Sequence, residues 1–134
     1  MEHIKISQYL NNGELSLDNA SAKRLLVCFL HNLEVHIKGI YRVQDLRDPA
    51  RPERPLYGLL DKQTIYLEHD LDETELLSTL IHELTHYYFD LDESHEQIIC
   101  KIEEILMEKI SSEQKIEFEK YIPKECSNQK PRQD

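Results

Sequence analysis

His82, Glu83 and His86 stand in the order His-Glu-x-x-His within Thr79-Leu80-Ile81-His82-Glu83-Leu84-Thr85-His86. On a helix, residues four apart lie on one face, so two imidazoles at this spacing can reach a single ion. Zinc takes neutral imidazole nitrogen as a ligand and, in catalytic sites, keeps a fourth position open. Glu83 lies beside the pair, close enough to act on a water held there without ligating the metal itself. It would take the proton from that water and return it to the leaving amine. The chemistry implied is metal-activated hydrolysis that releases an amine, with Zn2+ as cofactor, set against the plainer reading of a polar outer face.

A three-ligand site needs one more residue. Downstream candidates are Asp90, Asp92, Glu93, His95, Glu96 and Glu103. Helical periodicity turns His95 further inward than Glu96, so spacing alone mildly favours His95 as third ligand. A carboxylate at Glu96 also has a plainer use, stabilising a helix N-terminus. Asp90 follows His86 by four residues, where it would either orient an imidazole or end the helix. Tyr87 and Tyr88 read as core residues, and Cys100 reads as a buried structural thiol. Asp70-Leu71-Asp72 and Asp90-Leu91-Asp92 lack the glycine and glutamate of a calcium loop.

Several elements must position these groups. Asp72 with Glu75 three residues on is a capping-box start for the helix that carries the motif. Leu76, Leu77, Leu80, Ile81, Leu84, Tyr87 and Tyr88 form its apolar stripe, with His82 and His86 opposite. A second helix is expected from about Ser94, with Gln97 as its box partner and Ile98 to Ile110 as its stripe. Upstream, residues 18–32 are helical in pattern, and alternation from Val35 through Val43 suggests a strand. Pro49, Pro52 and Pro55, interleaved with arginines, mark residues 44–55 as a loop. Leu56–Leu60 and Thr64–Leu67 form a hairpin around Asp61-Lys62-Gln63. A short helix over about 112–121 ends before Pro123. The opening segment, Ile4 to Leu10, is a short strand or an irregular lead-in. The expected class is α+β: a helix, a small antiparallel sheet of about three strands, and the motif helix packed on the next.

The chain has 134 residues, 40% hydrophobic and 31% charged, which suits one domain over 1–123 and a polar tail over 124–134. No apolar run approaches a bilayer span, and the first residues lack the pattern of a signal peptide, so no membrane role is expected. Three cysteines are an odd number, against a disulfide framework and in favour of a reducing, cytoplasmic setting. The net charge of −10 resides in residues 63–100, which hold ten acidic residues and no Lys or Arg. Such a stretch repels nucleic acid and attracts cations. Most of its acids fall at element ends, where capping accounts for them.

With these residues in view, Leu56 to Ile110 resembles the zincin superfamily of metallopeptidases. More narrowly, it is similar to the small gluzincin-like proteins of phages and mobile elements, akin to the ImmA/IrrE group. The likeness rests on Tyr57-Gly58 to Thr64-Ile65-Tyr66-Leu67, on the motif helix, and on Ser94-His95-Glu96-Gln97. It implies a zincin-like fold, with His82 and His86 on zinc and Glu83 as base. It also implies Glu96 as third ligand, His95 remaining the alternative. The strand before the motif helix, Thr64–Leu67, would dock a peptide or protein substrate by strand addition. The metzincin continuation, the peptide-deformylase motif and a zinc ribbon are all absent. A second functional reading is a catalytically silent zincin-like module that binds a partner or regulates a mobile element.

Overall fold

The computed structural model describes residues 6–128 and 131. A 3-10 turn at Ile6–Tyr9 leads into a small antiparallel hairpin, β1 (Leu10–Asn11) and β2 (Glu14–Leu15), closed by Asn12 and Gly13 at positive φ. The part of the expected lead-in before Ile6 lies outside the described residues. Helix α1 (Asn19–Val35) begins at Asp18, whose carboxylate accepts the Ser21 N–H. It runs three residues past the expected end. Val35 therefore belongs to the helix, and the strand begins only at Gly39.

Strands β3 (Gly39–Val43), β4 (Gly58–Asp61) and β5 (Thr64–Glu68) make one sheet in the order β3-β5-β4. The hairpin β4–β5 is antiparallel, turning through Lys62 at φ 58°. Strand β3, however, runs parallel to β5. The expected all-antiparallel sheet is therefore corrected to a mixed one. The loop over 44–57 carries the chain across so that the hairpin can place its second strand beside β3. This order also corrects the docking expectation. Thr64–Leu67 lies in the central strand with both edges paired, so it has no free edge to offer a peptide. The edge strand before the motif helix is β4.

Helix α2 (Glu73–Phe89) carries the motif, and its capping box forms as expected. Asp72 Oδ1 accepts the Glu75 N–H at 2.8 Å, and Glu75 Oε1 accepts the Asp72 N–H at 3.3 Å. Helix α3 (Glu96–Lys109) starts later than expected, and the Ser94/Gln97 box does not form. Asp92 instead caps a 3-10 turn at Glu93–His95 by accepting from Ser94. Helix α4 (Ser112–Glu119) is capped by a reciprocal Ser111–Gln114 box.

The sheet packs on α2, which also touches α1, α3 and α4. Ile65 and Leu67 point from β5 into a core with Phe29, Leu80, Leu84 and Phe118, all essentially inaccessible to solvent. Tyr66 faces the other side and packs with Val43 and Leu46. The polar tail is tied down at its start. Ser127 donates to the Arg42 carbonyl, and Arg42 donates to the carbonyls of Pro123 and Lys124. The architecture is α+β. No helix among the described residues is long and apolar enough to cross a membrane.

Candidate metal centre

The His82 and His86 rings project from one face of α2, their centroids 5.1 Å apart. Helix α3 and the turn before it cover part of this face. The His86 residue is 9% exposed. Each ring is anchored through Nδ1. Glu103 on α3 contacts His82 Nδ1 at 2.8 Å, and the Leu91 carbonyl contacts His86 Nδ1 at 2.7 Å. Partners of this kind fix a ring's tautomer and direct its other nitrogen. Both Nε2 atoms meet the Glu96 carboxylate. Glu96 Oε1 lies 2.5 Å from His86 Nε2, and Oε2 lies 3.1 Å from His82 Nε2.

The structure thus brings together His82, His86 and Glu96. His95 is not with them. It is exposed, pairs with Asp92 at 3.3 Å, and occupies the residue before α3 with φ −109° and ψ 20°. It precedes the helix, so a helical wheel misplaces its side chain. Asp90 takes the left-handed conformation that ends α2, at φ 53°. The turn that follows delivers the Leu91 carbonyl, which orients His86 in place of the Asp90 carboxylate. Tyr88 is core, as expected.

The sequence reading gave two groups of this site other roles. Glu103, weighed as a ligand, serves as the His82 anchor. Cys100, expected to be buried, is exposed, with Sγ 4.0 Å from Glu96 Oε2. His82, Glu96 and Cys100 each place a ligand atom within 4.8 Å of the other two, so this trio could hold a metal ion. The spacing carried the signal. Glu96, Cys100 and Glu103 recur at four and three residues and so line one face of α3. No protein family, curated protein or solved structure matches this chain.

The centre lies in a cleft of about 520 Å³ between α2, α3 and the edge strand β4. Gly58 on β4 sits against Glu83. A Cβ there would lie 3.0 Å from Glu83 Oε2 and would collide with the Thr79 methyl group. This close backbone approach explains why Glu83 is 7% exposed although it lines the cleft. Burial pushes the Glu83 carboxyl up to about 7, against the pull of the His82 and His86 rings. Burial works against a charged His82, but the Glu103 hydrogen bond and the charges of Glu83, Glu96 and Glu103 outweigh it. They hold this imidazole up at about 9. Burial and the Glu96, Glu103 and Glu104 carboxylates push the Cys100 thiol up. Across the mouth, Arg54 reaches Glu93 at 3.6 Å and Asp48 at 3.8 Å.

The donor chemistry fits a divalent transition metal. An imidazole, a carboxylate and a thiol in one cluster, with a second imidazole against the same carboxylate, are a borderline-soft set that would suit zinc. A hard oxygen-seeking cation would not select it.

Proposed function

We propose that this chain is a zinc metallopeptidase of zincin-like fold. The observation that carries the reading is the convergence of both Nε2 atoms on Glu96 while each Nδ1 is held from behind. His82, His86 and Glu96 would hold the metal, and zinc, when bound, lowers the pKa of water and polarises a carbonyl oxygen. Glu83 acts as the general base, held against Gly58 of β4 at the wall of the cleft. Burial raises this carboxyl in the metal-free chain, and a carboxylate so placed can accept a proton from water and return it to a leaving amine. Glu103 and the Leu91 carbonyl would keep the two imidazoles oriented towards the site.

The substrate would be a peptide or protein segment. Strand β4 has one edge paired to β5, and Leu56 to Leu60 line the cleft. An extended peptide laid along this stretch would bring its carbonyl groups past Glu83. Tyr57, 64% exposed at the lip, would cover such a chain. The acidic surroundings favour basic or neutral peptides.

Metal analysis of the purified chain, together with Glu83→Gln, tests this reading. One zinc per chain and hydrolysis lost in Glu83→Gln are expected. No metal bound at micromolar zinc would end the proposal. Metal bound without any Glu83-dependent hydrolysis would leave the silent binding module in its place.

A further inference from the structure

The geometry points to Cys100 as a fourth metal ligand that closes the centre at rest, so that hydrolysis requires its sulfur to leave. The inference rests on the metal-site reading given above. A catalytic zinc site keeps one position for water or substrate, whereas a four-ligand protein site is closed. Bond lengths of about 2.0–2.3 Å in a tetrahedron put ligand atoms roughly 3.3–3.8 Å apart. Cys100 Sγ and Glu96 Oε2 are 4.0 Å apart, within a few tenths of that span. His82 completes a trio with every pair of ligand atoms within 4.8 Å; His86 stands outside that trio and joins it through its contact with Glu96.

The other cysteines differ. Cys28 accepts the Tyr88 hydroxyl on the far side of the core, and Cys126 lies along β3. Among the described residues, Cys100 alone of the three shares a donor cluster with the motif. The sulfur stands one helical turn from Glu96 on the same rigid helix, so it needs only a side-chain rotation to approach or withdraw. On binding, the thiol releases its proton to solvent; on leaving, it takes one back. The exposed rim location lets a competing substrate displace it.

Cobalt(II) is the probe. The chain is stripped with chelator, loaded with one equivalent of cobalt, and examined by absorption spectroscopy beside Cys100→Ala. Alanine is a strong helix former at an exposed helical site, so this variant keeps α3. The expected result is a sulfur-to-cobalt charge-transfer band in the near ultraviolet for the parent chain, absent in Cys100→Ala. The visible cobalt bands should persist in both. Zinc-loaded Cys100→Ala should then hydrolyse peptide several-fold faster than the parent. Visible cobalt bands without a thiolate band would overturn the inference and leave the metal site standing. A thiolate band that survives Cys100→Ala would overturn it too, as would a variant no faster than the parent. Absence of cobalt binding would overturn both this inference and the function on which it rests.

Discussion

Glu103→Ala should weaken metal binding although Glu103 touches no metal. Its carboxylate lies 2.8 Å from His82 Nδ1 and is about a quarter exposed. It supplies the principal hydrogen bond that keeps His82 up at about 9, against the cost of burial. Removing such a partner costs roughly 10- to 100-fold in metal affinity, or about 1.4–2.7 kcal/mol. The lower half of that range is expected, because Glu96 also contacts this ring and water can reach the vacated position. Zinc competition against a chromophoric chelator gives the affinity, and NMR titration of the chelator-treated chain gives the His82 pKa. Both should fall in Glu103→Ala. Glu103→Gln, which can still accept from Nδ1–H, should recover most of the affinity but little of the pKa. Equal affinity in all three proteins would refute the assignment of Glu103 as the His82 anchor. A loss as large as that in His82→Ala would instead make Glu103 a ligand.

Three further outcomes follow from the same geometry. Gly58→Ala should destabilise the chain by about 1–3 kcal/mol in urea unfolding, because the new methyl group meets Thr79 and Glu83; Thr79→Ser, which removes the colliding carbon, should restore part of the loss. Asp72→Ala should cost about 1 kcal/mol by deleting the cap of α2, seen as a lower Tm with unchanged metal stoichiometry. Stability of chelator-treated protein should fall as pH rises. Glu83, raised from 4.5 to about 7, favours folding most below 4.5 and loses that contribution towards 7. His82, raised from 6.5 to about 9, contributes fully below 6.5 and loses it towards 9. Zinc-loaded protein should show the opposite slope between pH 5 and 7, because its ligands must shed protons. Parallel slopes in the two forms would contradict this account.

What could be read from the sequence follows local physics. Helix α2 was legible because its signals are local and agree: Asp72 and Glu75 cap it, and its leucines repeat at helical spacing. His82 and His86 were legible for the same reason, since four residues on a helix fix a shared face. The first turn of α3 was not. Asp92 captures Ser94 and diverts it from the expected cap, so α3 starts at Glu96, and His95 cannot be placed by extending the helix backwards. The parallel pairing of β3 with β5 was hidden because it joins segments separated by a loop and another strand. That pairing moved the free edge from Thr64–Leu67 to β4. The anchors of the two rings were hidden too. One comes from a facing helix, and the other is a backbone carbonyl, which side-chain patterns do not reveal.

Peptide hydrolysis by zinc-loaded protein tests the central claim most directly. A mixture of peptides rich in Lys and Arg is incubated with Cys100→Ala, and with the same protein also bearing Glu83→Gln, at equal zinc content. Mass spectrometry then reads the cleaved bonds. The account predicts new termini with the first protein and a loss of at least 100-fold with the second, in line with the worth of a general base. Equal cleavage by the two zinc-loaded proteins, or none by either, would contradict it.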